Sequence, residues 1–481
     1  MTRTENCDTI MRSNMIGKVV VIIQMILSIW FLAQASFIPR VYLLVGSIVL
    51  FILFAVAFTM QFMKSKGKRI TGCVVSVLIS VFLVVGIFTI HKMNSFIDSI
   101  DSDGLKMDNM VIAVRKNDSA ENIQDAINYK FAIQTSMDKE NTKNMVANVE
   151  EILDKKLDVQ KFKTVENLSH ALIDKSVDTI IYNEAFTGVI QEFIPDYLDQ
   201  VKIIYQYGIG TELENNDNSV SGESFNVYIS GIDVSGPISK TSRSDVNIIM
   251  TVNTATKNIL LTTTPRDYFV PIPEISGGVR DKLTHAGIYG VDASIRTLEE
   301  LYGIGIDYYA KVNFSSLIDI VDILGGIEVY SKYEFTPLHG KDFHFVEGIN
   351  HMNGEQALAF SRERYSFQEG DNQRGKNQEE VIEAIINKAL TPAILKNVGK
   401  IIENVSDSIQ TNLGDEQIKK LISMQLKDNV SWTIESQAVT GFGDKNSCYS
   451  SGRQMLYVMN PDMDSVREAK AKIEEVLGEE K

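Results

Sequence analysis

The sequence predicts an α/β protein held on a membrane: three N-terminal transmembrane helices, a small α/β domain, and a larger domain whose sheet carries helices on its faces. Three observations predict it. Of the 47 Lys/Arg and 62 Asp/Glu in 481 residues, only eight and two fall within the first 90, so a head of net charge +6 carries a body of net charge −21. Three charge-free apolar runs occupy that head. Beyond it, short β-branched runs alternate with stretches of helical spacing, the pattern of sheets covered by helices. The overall composition, 44% hydrophobic and 23% charged, is that of a globular chain. Its segregation excludes a freely soluble protein, a disordered chain and a disulfide scaffold. The acidic body is also a poor electrostatic match for nucleic acid, so no nucleic-acid partner is expected.

The runs at residues 19–39, 41–63 and 70–90 each have the roughly 20 residues that cross roughly 30 Å of hydrocarbon as a helix. Core helices seldom stay free of charge over that length three times in succession. No small-residue cleavage site follows the first run, and two spans come after it, so loss as a signal peptide is not expected. Lys64-Ser-Lys-Gly-Lys-Arg69 joins the second and third runs, whereas the first loop holds only Arg40. The positive-inside rule then puts residues 64–69 and the N-terminus in the cytoplasm, and everything after about residue 91 outside. Cys7 falls inside the cell, Cys73 in the third span and Cys448 alone outside. No intrachain disulfide can form in the exported part, which suits a Gram-positive envelope better than an animal ectodomain. The anchor comprises residues 1–92.

Residues 93–208 read as an extracellular accessory domain, with strands at 110–114, 131–134, 179–182 and 201–205 and helices at 144–153 and 165–173. It holds no metal-ligand cluster, Gly-rich phosphate loop or nucleophile motif, so an accessory or interaction role is expected. Residues 209–222 are polar, rich in turn formers and without period, and read as a linker. The second domain, 223–481, opens with strands at 225–230, 246–252 and 258–263, followed by helices at 293–302, 314–324 and 377–390. No 20–50-residue repeat appears.

Chemistry-bearing residues gather where these strands end, the usual place for sites on α/β sheets. Asp233 follows the first strand in Gly231-Ile-Asp-Val-Ser-Gly236. Arg243 and Asp245 lie in Ser242-Arg-Ser-Asp245 before the second, and Arg266 and Asp267 in Thr264-Pro-Arg-Asp267 after the third. Two carboxylates brought together by neighbouring strands make a hard oxygen site suited to Mg²⁺ and phosphate. The bland alternative is that Asp233 caps a turn and Asp245 pairs with Arg243.

A second, cationic cluster begins at Ser361-Arg-Glu-Arg-Tyr365, where Arg362 and Arg364 share one side if the segment is extended. In Gly370-Asp-Asn-Gln-Arg-Gly-Lys-Asn-Gln378, Asp371 is a candidate N-cap, and Arg374 and Gln378 are i, i+4 neighbours on the helix that follows. A helix N-terminus with Arg forks beside it is an anion site, although charge runs are commonly just solvated faces. Arg280, Lys282 and His285 are candidates either for a ligand or for a structural role. His339, His344 and His351 lack zinc spacing, and neither a Ser nucleophile elbow nor a His partner for Cys448 is found. The helix at 314–324 is apolar enough to pack in a core or to line a lipid slot; core packing is the expectation.

The order of these motifs resembles the LytR-CpsA-Psr family, most specifically over residues 225–390. The residues that carry the likeness are Ile229–Gly236, Ser242–Asp245, Thr264–Asp267, Lys282-Leu-Thr-His-Ala286, Phe360-Ser-Arg-Glu-Arg364 and Gly370–Gln378. The three-span anchor with an accessory domain resembles the streptococcal capsule-type members. The resemblance implies an α/β/α sandwich on a central mixed sheet with an apolar tunnel. It further implies an extracellular, Mg²⁺-dependent phosphotransferase that moves a glycopolymer, here capsular polysaccharide, from polyprenyl pyrophosphate to peptidoglycan. By the same resemblance Asp233 and Asp245 hold Mg²⁺, and Arg243, Arg266, Arg362, Arg364, Arg374 and Gln378 hold the pyrophosphate. Asp233, Asp245, Arg266, Arg362 and Arg364 would carry the catalysis. Ser235 and Asn377 stand where many members carry Arg. Two rival classes are a membrane regulator of capsule synthesis and a polyprenyl pyrophosphate-binding protein without turnover. The short cytoplasmic segments leave no room for a DNA-binding module.

Overall fold

A computed structural model describes residues 4–34, 40–102, 105–212, 223–232, 238–368, 370–391, 409–414 and 431–478, with a few positions between 417 and 425. The chain divides into two compact units, the first built on its N-terminal 99 residues and the second holding both α/β domains.

The first unit consists of α1 (Thr4–Gln34), α2 (Arg40–Met60) and α3 (Lys66–Ser102). Each contains a stretch long and apolar enough to cross a membrane: Gly17–Gln34, Leu43–Met60 and Lys66–Phe88. Their outer faces suit lipid, with Phe51, Leu78 and Phe82 exposed. The N-terminal region is a multi-pass membrane anchor. The basic loop is shorter than the sequence suggests, because Lys66–Arg69 form the first turn of α3. Starting the helix here leaves its unpaired first N–H groups at the watery edge of the bilayer and lets the backbone that follows enter the hydrocarbon already paired, while long basic side chains reach back to water.

In the second unit the small domain is a five-stranded mixed sheet ordered β3-β2-β4-β1-β5, with β1 at Leu105–Arg115, β2 at Phe131–Gln134, β3 at Val159–Phe162, β4 at Thr179–Asn183 and β5 at Val201–Glu212. Period-two alternation buries both faces of β1. Val111 and Ala113 pack on the side of α5 (Val165–Ile173) and α6 (Thr187–Phe193). Met110, Ile112 and Val114 pack against α4 (Lys139–Leu153). α7 (Tyr197–Gln200) leads into β5. Positions 209–212, expected to open the linker, instead extend β5. They pair with 105–108 of β1, since a long partner strand offers ladder bonds that a free linker would forgo.

The larger domain is built on a six-stranded mixed sheet ordered β14-β11-β6-β7-β8-β15. Its strands are β6 (Ser224–Ile232), β7 (Ser244–Asn253), β8 (Asn258–Thr263), β11 (Tyr308–Val312), β14 (Ile409–Thr411) and β15 (Thr433–Ala438). The first three form an antiparallel meander, to which β11 and β15 add in parallel on either side. Short pairs β9 (Phe269–Pro271) with β10 (Arg280–Lys282), β12 (Ile327–Ser331) with β13 (Gly348–Met352), and β16 (Gly441–Ser447) with β17 (Met455–Pro461) lie outside that sheet. Tyr228, Ile249 and Leu260 bury one face of it against α9 (Val291–Tyr302) and α13 (Met463–Leu477). The opposite face, with Ile229, Val246 and Met250, looks toward α10 (Phe314–Ile323), α11 (Gly354–Arg362) and α12 (Asp371–Ala389). The expected sandwich of helices on a mixed sheet is therefore present.

Candidate functional site

Between the sheet and α10–α12 lies a cavity of ≈ 540 Å³, within the roughly 300–1,000 Å³ usual for ligand pockets. Its walls are apolar: Ile229, Met250 and Ala310 from the sheet face Leu317 and Ile320 of α10 and Ile382, Ile385 and Ile386 of α12. One apolar face of α10 serves both cavity and core: Phe314, Leu317 and Ile320 line the cavity, while Val321, one turn on from Leu317, packs into the core beside it. The expectation of simple core packing for this helix is corrected, because part of that face stays open to the cavity.

The mouth is polar. Arg243, Asp245, Arg266, Arg362, Arg364, Arg374 and Gln378 all line the same cavity. Asp233 and Ser235 lie outside the described residues. Asp245, near the start of β7, is held by Arg266, whose Nη1 donates to Oδ2 at 2.7 Å, and by Thr284, whose Oγ1 donates to Oδ1 at 2.9 Å. Its pairing partner among the described residues is Arg266 rather than its sequence neighbour Arg243. β8 and β7 are adjacent antiparallel strands, so the segment after one returns beside the start of the other. Burial would raise the Asp245 pKa, but the guanidiniums of Arg266, Arg243 and Arg374 outweigh it and hold the carboxyl below its ordinary value.

Arg362 and Arg364 reach the rim because the residue between them turns the other way. Glu363 is buried and extended in backbone. Its Oε2 accepts from Leu338 N at 2.5 Å and its Oε1 from Ser366 N at 2.8 Å. Burial opposes its ionisation, yet these backbone donors lower its pKa. The arginines then project away from it, Arg362 stacking 4.2 Å over the Phe314 ring and Arg364 4.7 Å over Tyr365. Arg362 ends α11 rather than sitting in a strand, so only the step through Glu363 is extended, as the two-residue spacing requires.

Helix α12 supplies Arg374 and Gln378 one turn apart, with Gln378 Nε2 donating to Ser361 O at 3.4 Å. Its N-cap is Gly370, not Asp371. At φ 52° and ψ −117° this position favours a residue without Cβ, and the helix starts at Asp371 itself. Asn377 turns away from the rim, accepting from Gln373 Nε2 at 2.9 Å and donating to Phe360 O at 3.3 Å.

His285 is fully buried, its Nδ1 2.6 Å from Asp281 Oδ1 and its Nε2 3.3 Å from Glu192 Oε1. Burial lowers its pKa, but the two carboxylates prevail and raise it to about 9. Lys282 binds Glu192 at 2.7 Å and Asp267 at 3.3 Å. Both are structural, and Arg280 lies 5.9 Å over the Phe269 ring. Sequence reasoning missed Gly188, Gln191 and Glu192, which bring the small domain to the cavity wall. A Glu standing 51 residues before Arg243 leaves no local pattern to read.

Residues 197–472 match the LytR_cpsA_psr family. Among curated relatives, the chain is 33% identical over 197 residues to the polyisoprenyl-teichoic acid–peptidoglycan teichoic acid transferase TagU of Bacillus cereus, covering 41% of this chain and 62% of that one. It is 36% identical over 202 residues to the Enterococcus faecalis TagU, covering 41% and 65%. The chain thus spans less than two thirds of the length of these relatives. Among solved structures, Bacillus subtilis TagV aligns at 25% identity with a TM-score of 0.46, covering 55% of this chain and all of that one. With more than half of its residues inside the family match, the chain belongs to the LytR_cpsA_psr family.

Proposed function

We propose that this protein is a membrane-anchored phosphotransferase that moves a glycopolymer from a polyprenyl pyrophosphate carrier to peptidoglycan outside the cell. The observation that carries the reading is the junction of an apolar cavity with a rim of guanidiniums. A prenyl tail matches the first and a pyrophosphate head the second. The named activity of the TagU relatives, transfer of teichoic acid from a polyisoprenyl carrier to peptidoglycan, supports the same class. The three-helix anchor and small domain, which resemble the capsule-type layout, support capsular polysaccharide as the polymer.

The reaction in this reading is an in-line displacement. A peptidoglycan sugar hydroxyl attacks the phosphorus that bears the polymer, a new P–O bond forms, and the bond to the distal phosphate breaks. Polyprenyl phosphate leaves and takes up the proton of the attacking hydroxyl, and the polymer is joined through a phosphodiester. Such a transfer asks for alignment and charge neutralisation rather than covalent help. Arg362, Arg364 and Arg374 bind the leaving phosphate's oxygens, with Gln378 as a neutral donor beside them, and Arg266 serves the transferred phosphorus next to Asp245. The apolar wall of α10 and α12 excludes water behind the head group. Mg²⁺ fits the residues present, because Asp245 is an ionised oxygen donor at the rim and the ion takes one or two carboxylates with phosphate oxygens. Asp245, with Asp233, would hold it, and when bound it supplies further neutralisation of the pyrophosphate. Its lowered pKa makes Asp245 a weak base, so its part is to hold charge.

The test is turnover by the full-length chain in detergent, given a polyprenyl-pyrophosphate-linked oligosaccharide and peptidoglycan with and without Mg²⁺. Release of polyprenyl phosphate that needs Mg²⁺ and fails in Asp245→Ala is the expected result. Tight binding of intact lipid with no release under any condition would leave a carrier-binding protein.

A further inference from the structure

We propose that the small domain is a working part of the phosphate site, because α6 sets the position of Arg243 through Gly188 and Glu192. This rests on the phosphate-site reading above and goes beyond it in assigning a role to a domain with no chemistry of its own.

Two observations converge on one guanidinium. Glu192 Oε1 lies 3.4 Å from Arg243 Nη1, and one helical turn earlier the Gly188 carbonyl accepts from the same Nη1 at 3.4 Å. The two residues are i and i+4 on one face of α6. The guanidinium lies so close to the α6 backbone that a Cβ on Gly188 would stand 2.6 Å from Arg243 Nε and 2.7 Å from its Cζ. Glycine here is therefore a steric requirement of the arginine's position. Glu192 itself is fixed by Lys282 at 2.7 Å and His285 at 3.3 Å, both on the larger domain. The charges alternate without a break from Asp281 through His285, Glu192, Lys282, Asp267 and Arg266 to Asp245, with Arg243 as a branch at Glu192. Removing α6 would take the central anion out of that chain and remove the Gly188 carbonyl and Glu192 carboxylate contacts of Arg243. Glu192 is thus a positioning residue, and Arg243 is the group it positions.

Gly188→Ala is the sharp test. Alanine is the better helix former, so the helix should persist, while its methyl must push the mobile end of Arg243 by on the order of 1 Å, a shift large enough to matter at an aligned site. Full-length protein in detergent is titrated with geranylgeranyl pyrophosphate in four forms: wild type, Gly188→Ala, Arg243→Ala and the double variant. Melting temperatures are measured alongside. The expected result is a roughly tenfold rise in Kd for Gly188→Ala, the scale of one charge-assisted hydrogen bond. No further rise is expected when the same change is made in Arg243→Ala. An equal rise in both backgrounds would mean a general packing effect and overturn the proposal, as would wild-type Kd in Gly188→Ala beside weakened binding by Arg243→Ala. Arg362→Ala and Arg374→Ala are titrated as controls, and wild-type Kd in these two and in Arg243→Ala alike would instead overturn the phosphate-site reading itself. Should Gly188→Ala fail to fold, Glu192→Gln takes its place in the same cycle.

Discussion

Arg362 and Arg364 owe their shared direction to Glu363, whose carboxylate is spent on the N–H groups of Leu338 and Ser366. That alternation was legible in three consecutive letters, as was the i, i+4 placement of Arg374 and Gln378. The partner of Arg243 was not, since Glu192 stands 51 residues earlier on a short helix and only the packing of two domains brings them together. The same holds for Asp245, which a local reading pairs with Arg243 and the fold pairs with Arg266. Replacing either Arg362 or Arg364 with Ala is predicted to cut transfer by about 10²–10³-fold, as removal of one preorganised donor does elsewhere. Melting temperature should stay near wild type, because neither side chain is buried in the core. Transfer assays beside thermal melts check this, and near-wild-type transfer by either variant would remove these residues from the site.

At the scale of elements, α10 and α8 (Leu283–Ala286) each carry a prediction. One apolar face of α10 serves both the core, through Val321, and the cavity, through Phe314, Leu317 and Ile320, so periodicity alone announced an apolar helix without saying how much of that face would stay open. Leu317→Trp should fill the cavity and weaken binding of geranylgeranyl pyrophosphate at least tenfold while leaving inorganic pyrophosphate binding unchanged. Equal loss of both ligands in paired titrations would contradict an apolar tail site.

On α8, His285 faces Asp281 and Glu192, with Lys282 beyond Glu192 and a neighbouring Cys448 thiol pushed up to about 12 and so neutral. A histidine raised from 6.5 to about 9 on folding contributes stability that is complete below pH 6.5 and is lost as pH rises through 9, on the order of 3 kcal/mol. The melting temperature of the wild type is expected to fall between pH 7 and 10 more steeply than that of His285→Gln, as measured by melts across that range. Parallel curves would exclude a protonated His285. Short or polar strands were the least legible elements. β9 and β10 have three residues each, and β15 is a half-exposed edge strand whose sequence, Thr-Ile-Glu-Ser-Gln-Ala, hardly alternates.

For the molecule as a whole, hydropathy and charge made the three-helix anchor plain, and ordered motifs marked the larger domain. What composition could not reveal is that the small and large domains share their packing. Phe186 and Tyr289 meet edge to face at 6.1 Å, Ile288 belongs to the small domain's apolar cluster, and Met107 exchanges backbone hydrogen bonds with Ser239 and Thr241. Residues 223–481 expressed alone should therefore melt well below the full chain and bind a hydrophobic dye, which differential scanning and dye fluorescence would detect. The three spans anchor the chain in a membrane, and in the proposed function, with a lipid carrier confined to that bilayer, such tethering would raise the effective concentration of enzyme and substrate for each other.

In the proposed function the arginine rim and apolar cavity together break the pyrophosphate of a polyprenyl-linked polymer. The most direct measurement of this step is mass spectrometry of the lipid products when the full-length chain, Mg²⁺, peptidoglycan and a polyprenyl-pyrophosphate-linked oligosaccharide are combined. Polyprenyl monophosphate is expected together with oligosaccharide joined to peptidoglycan through one phosphate, both missing with Arg364→Ala. Oligosaccharide joined without phosphorus, accompanied by intact polyprenyl pyrophosphate, would contradict that function.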